Sequence, residues 1–90
     1  MIPKISPHVA WQVVEGEAIV VDLASGKTVG LNTAGTFLWT HIDGGHDAAA
    51  LAIALAGEFS LSREEAESDT DVFLSEMTTR TLIVDAEAAR

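Results

Sequence analysis

The chain contains no cysteine and no tyrosine among its 90 residues. Disulfides and thiolate metal sites are therefore excluded, and the cysteine count fits a reducing cytoplasm. Proline is limited to Pro3 and Pro7, so nothing downstream of residue 7 is barred from regular structure on that account. Basic residues are scarce: five Lys and Arg against fourteen Asp and Glu, for a net charge of −9. Nucleic-acid affinity comes mainly from neutralising phosphates, and anionic lipid attracts basic clusters. This chain would repel both, whereas a basic or neutral peptide partner is compatible with it. The longest apolar run, Ala48 to Ala56, is rich in alanine and far short of the ~20 residues that span a bilayer. No signal-peptide pattern follows Met1. Together these features predict a cytoplasmic protein that does not bind membranes.

Motifs for chemistry are also missing. There is no HExxH, no GxSxG and no phosphate-binding glycine loop. His8, His41 and His46 lack a metal-ligand spacing. His41, Asp43, His46 and Asp47 lie close in sequence, but they also suit a helix end followed by a helix start. The serines occupy positions expected of turns and caps. No catalytic residue, metal site or cofactor is therefore assigned, and the chain is expected to be a binding protein rather than an enzyme.

What is present is a change of hydrophobic period at Gly30-Leu31-Asn32. Before it the pattern alternates as strands do, and after it the spacing is helical. Residues 1–8 read as an extended lead-in. Val9–Val14 predicts a strand with Val9, Trp11 and Val13 on one face. Glu15-Gly16-Glu17 is a tight turn, and Ala18–Leu23, apolar on both faces in its middle, predicts a central second strand. A turn at Gly26 leads to a short third strand, Lys27–Leu31, and short turns make the three a meander. The margin of that third strand is either open or covered by the lead-in, the C-terminal tail or a second copy of the chain. If open, it invites an added strand, and Val29→Pro is expected to remove one of its donors.

Asn32 suits a helix N-cap, with Phe37, Leu38, His41 and Ile42 at helical spacing after it and Trp39 to one side. Asp43-Gly44-Gly45 ends that helix. A second helix starts at His46 or Asp47 and carries the stripe Leu51, Leu55, Phe59 with alanines elsewhere. A helix apolar nearly all round is buried or lies against another chain, so a homodimer through this helix is open. Ser62 and Glu65 match a capping box for a third helix running to about Arg80. Its core stripe is Ala66, Thr70, Phe73 and Met77, with Leu74 alongside. Val72 lies on a flank shared with Glu65, Asp69, Glu76 and Thr79. Thr81–Val84 is a short apolar tail, either a strand or a strap over the core, and Asp85–Arg90 should fray. The expected fold is α+β: a three-stranded antiparallel N-terminal sheet followed by three helices, of winged helix-turn-helix type, in one domain over 1–90 with a core at about 9–84.

Several stretches together resemble the PqqD-like family. They are Val20-Val21-Asp22-Leu23, Gly26, Gly30-Leu31-Asn32, Gly35, Leu38-Trp39, Ile42-Asp43-Gly44, Asp71-Val72-Phe73-Leu74 and Leu82-Ile83. One departure is Thr81, where the family usually has glycine. The resemblance implies a RiPP recognition element, a non-catalytic protein that captures the leader of a ribosomally made precursor peptide and presents it to modifying enzymes. The lasso-peptide type is favoured on overall similarity. The implied partners are the precursor leader and a maturation enzyme such as a leader peptidase. The leader would add as a strand on Lys27, Thr28, Val29, Gly30 and Leu31, against a wall of Asp69, Val72, Phe73, Glu76 and Thr79. The competing readings are a winged-helix DNA binder, which six acids against two arginines on the third helix disfavour, and a homodimeric accessory subunit.

Overall fold

The computed structural model describes residues 1–87. The elements run β1 (Pro3–Ile5), β2 (Val9–Val14), β3 (Glu17–Asp22), β4 (Thr28–Gly30), α1 (Thr33–Thr40), α2 (Ala48–Phe59), α3 (Arg63–Thr79) and β5 (Ile83–Asp85). The predicted meander is β2-β3-β4, antiparallel throughout with β3 in the centre. Glu15 and Gly16 both have positive φ, as the two-residue hairpin turn that matches strand twist requires.

Two expectations at the termini fail. The lead-in is not merely extended, because Pro3–Ile5 pairs antiparallel with Ile83–Asp85 in a second, two-stranded sheet. Asp85 therefore does not fray: its carboxylate accepts from the Ile2 N–H at 3.2 Å, and the Ala86 N–H donates to the Ile2 carbonyl at 2.7 Å. The rest of the predicted fraying segment, 88–90, lies outside the described residues. Ser6 locks the clasp, its hydroxyl donating to the Thr81 carbonyl at 2.8 Å and its N–H to the Leu82 carbonyl at 3.0 Å. Thr81 has φ +59°, the left-handed region that glycine occupies without strain.

The helix starts follow the sequence. Asn32, Asp47 and Ser62 each accept a hydrogen bond from the third residue of their helix, and Ser62 with Glu65 completes the capping box. α1 stops at Thr40, two residues before Ile42, with Gly44 beyond it at φ +82°. α2 ends at Ser60 in the left-handed conformation. The core contains Leu38, Ile42, Leu51, Leu55 and the whole predicted α3 stripe. Trp39 corrects the prediction: rather than lying to one side it is fully buried, with Trp11 edge-on at 6.3 Å between ring centroids. The inner face of the sheet, which periodicity within α1 cannot see, sits directly over it. The alanines of α2 are partly absorbed, Ala52 being buried, while the neighbouring Ile53 is 74% exposed.

Candidate functional site

The site is built on the margin of β4. The Asp22 N–H donates to the Lys27 carbonyl at 2.9 Å, and the Leu31 N–H to the Ala18 carbonyl at 2.8 Å. With Val20 opposite Val29 between them, the antiparallel ladder turns Lys27, Val29 and Leu31 toward β3. Thr28 and Gly30 alternate with these and point their N–H and C=O groups away from the sheet. Among the described residues neither has a backbone partner on that side. β1 and β5 pair with each other, so the margin is open among the described residues. One consequence corrects the sequence reading: the Val29 N–H belongs to the β3 ladder, and a proline there would damage the sheet rather than its outer margin.

Across from β4 stands α3, and between them lies a groove of about 480 Å³. Leu38, Leu55, Phe73 and Met77 line its depth, with Val72 and Glu76 on the α3 side and Val29 and Gly30 on the strand side. Gly35 also lines it. A Cβ there would stand in ordinary contact with the Phe73 ring at 3.5 Å and crowd the Asn32 side-chain oxygen at 3.2 Å, so a side chain at this position would disturb the cap of α1. A second hollow of about 320 Å³ adjoins it at the other end of β4, sharing Val29 and Arg80 and lined also by Lys27 and Thr79.

The ten residues assigned from the sequence thus divide. Val29, Gly30, Leu31, Asp69, Val72, Phe73 and Glu76 meet in the larger groove, while Lys27 and Thr79 line the adjoining hollow. Thr28 lines neither and contributes backbone alone. Phe73 is 9% exposed and Val72 57%, so Phe73 serves as floor and Val72 as the apolar part of the wall. Sequence reasoning missed Asn32, Ala34, Gly35, Leu38, Leu55, Met77 and Arg80 as lining. Gly35 alone carried a signal, as a glycine placed inside a helix where glycine is unfavourable. Asp69, Glu76 and Arg80 all line the groove, and Lys27 shares the adjoining hollow with Asp22 and Arg80, so the rim carries both signs.

The polar residues around the α1–α2 connection serve local structure. The His41 imidazole lies 2.8 Å from the Phe37 carbonyl, His46 pairs with Asp43 at 2.9 Å, and Asp47 caps α2. The His46 hydrogen bond, then that of the Gly45 N–H, lowers the Asp43 pKa below its ordinary value. Among the described residues no group of three or more His, Asp or Glu side chains could hold a metal ion. No described helix is long and apolar enough to cross a membrane.

The sequence family described as Coenzyme PQQ synthesis protein D (PqqD) matches residues 17–83, from β3 into β5. The chain belongs to the PqqD family. Solved structures share its fold. TbiB1 in complex with the TbiA(beta) leader peptide superimposes with a TM-score of 0.82 at 26% identity, covering 89% of this chain and 93% of that one. A lasso peptide synthetase B1 complexed with its leader peptide gives 0.83 at 19% identity, covering 93% and 99%. No curated protein matches in sequence. The matched span carries β4, Gly35 and all of α3, so the family region contains the groove.

Proposed function

We propose that this PqqD-family chain is a RiPP recognition element of the lasso-peptide type. It captures the leader segment of a ribosomally made precursor peptide as an added strand on β4, and presents it to a maturation enzyme such as a leader peptidase. The observation that carries this reading is the pair of outward-facing peptide units at Thr28 and Gly30, set opposite α3 across an apolar-floored groove. Main-chain pairing supplies affinity in such an arrangement, and pockets for alternate side chains supply selectivity. The 26%-identical TbiB1 is itself solved with a leader peptide. Thr28 and Gly30 form the backbone contacts, with Lys27, Val29 and Leu31 holding them in register. Val72, Phe73, Asp69, Glu76 and Thr79 flank the peptide, and the role is recognition rather than catalysis. Residues 1–90 act as one peptide-recognition unit.

The test is calorimetric titration with the leader of the precursor encoded beside this chain's gene. Saturable binding in the micromolar range is expected. Gly30→Pro deletes an outward donor without touching the β3 ladder, and should weaken binding about tenfold or more with the circular dichroism unchanged. Gly30→Ala places its Cβ in open space and should bind as the parent does. Absence of saturable binding, or equal binding by the proline variant, would overturn the reading.

A further inference from the structure

The sheet has a second margin, and it is less protected than the first. β2 is a six-residue edge strand, Val9–Val14, that pairs with β3 on one side only. The Leu23 N–H donates to the His8 carbonyl at 2.9 Å, so residues 8, 10, 12 and 14 bond toward β3. Val9, Trp11 and Val13 therefore face outward. The Val9 N–H is used in a turn to the Ser6 carbonyl at 3.2 Å. Among the described residues the N–H and C=O groups of Trp11 and Val13 have no partner. Proteins usually blunt such margins with charge, proline, bulges or a covering element. Among the described residues β2 has none of these. Its sequence, Val-Ala-Trp-Gln-Val-Val, is uncharged, its register with β3 is unbroken, and every residue after Val9 is exposed.

We infer that β2 pairs antiparallel with β2 of a second copy of this chain, about a two-fold axis at Gln12. The choice of a second copy follows from self-complementarity, which an isologous contact demands. With Gln12 on the axis, Trp11 faces Val13 of the other copy, and each such pair exchanges two backbone hydrogen bonds. Both unpaired peptide units of the strand are satisfied at once. Ala10 then faces Val14, and Gln12 faces its own copy, where a carboxamide is both donor and acceptor. No charged side chain lies between Val9 and Val14 to oppose its own image. The acidic α3 faces β4 across the groove, at the opposite margin of the sheet, so its six acids lie away from the axis. The product is one continuous sheet in the order β4-β3-β2-β2-β3-β4, with both β4 margins outermost and both grooves open. The pairing stands independently of what the groove binds.

Sedimentation over a micromolar to near-millimolar series tests it, with amide hydrogen exchange on the same samples. A mass rising toward twice the 9.5 kDa of one chain is expected, with the Trp11 and Val13 amides protected in step with it. Gln12→Lys sets two like charges face to face on the axis and should keep the chain monomeric with its circular dichroism intact. Ile53→Lys, on the open side of α2, should leave the dimer in place. A monomer at every concentration would overturn the inference. So would a dimer that leaves the Trp11 and Val13 amides in fast exchange, or one that Ile53→Lys dissolves and Gln12→Lys does not. Protection that appears only on adding leader peptide would assign the margin to peptide and equally overturn it.

Discussion

Three threonines show how much a single side chain's surroundings decide. Thr36 on α1 is buried and accepts the Ala18 N–H through its hydroxyl at 2.7 Å, tying α1 to the middle of the sheet beside β4. Thr70 on α3 is equally hidden, yet its hydroxyl has no partner among the described residues. A buried donor left unpaired costs about 1–3 kcal/mol, whereas removing a polar group that was already unpaired is close to neutral. Thr36→Val should therefore lower unfolding free energy by about 1–3 kcal/mol, because it orphans a backbone donor. Thr70→Val should leave it unchanged or raise it. Urea denaturation of the two variants checks both, and equal effects would show that burial alone, rather than pairing, sets the cost. The third, Thr81, is strained by its positive φ. Its anomaly was visible in the sequence as a missing glycine, while its cause required the backbone angle.

At the scale of elements, the caps were the most legible feature. Asn32, Asp47 and the Ser62–Glu65 box open their helices as local hydrogen-bond chemistry dictates, and no distant residue is needed to see it. The pairing of β1 with β5 was illegible for the complementary reason. Three residues are too few to display a period, and the partner lies about eighty positions away in sequence. Asp85 sits where this clasp begins, and its pKa is lowered below the ordinary 3.8, first by the hydrogen bond from the Glu87 N–H and then by that from Ile2. A carboxyl group whose folded pKa is depressed adds stability that is fully present above its unfolded value and is lost as pH falls through the folded one. The advantage of the parent chain over Asp85→Ala should therefore be constant above about pH 4 and vanish in more acidic solution. Thermal melts across that range measure it, and an advantage unchanged into strong acid would remove Asp85 from the clasp.

For the molecule as a whole, charge is the property that selects partners. α3 carries Glu64, Glu65, Glu67, Asp69, Asp71 and Glu76 along exposed positions, so the element that would enter a DNA groove in a helix-turn-helix protein is here an anionic wall. Duplex DNA should give no mobility shift even at low salt, where attraction to phosphate would be strongest. A salt-sensitive shift would restore the DNA-binding reading. The groove rim nonetheless mixes signs, with Arg80 beside Asp69 and Glu76 and Lys27 beside Asp22 in the adjoining hollow. Net charge conveys the repulsion of polyanions but not this mixture.

The sequence by itself determined the order of elements from β2 to α3, the helix starts, the central place of β3, the acidic face and the family. Each of these depends on residues near one another in the chain or on composition. Tertiary structure alone decided which peptide units of β4 and β2 point outward. A period of two assigns side chains to faces but leaves the phase of the hydrogen-bond ladder to the partner strand. It also decided the groove floor, where Leu38, Leu55, Phe73 and Met77 come together from three helices, and the burial of Trp39 beneath the sheet. Such contacts are set by how apolar faces close over one another, and no local pattern encodes that.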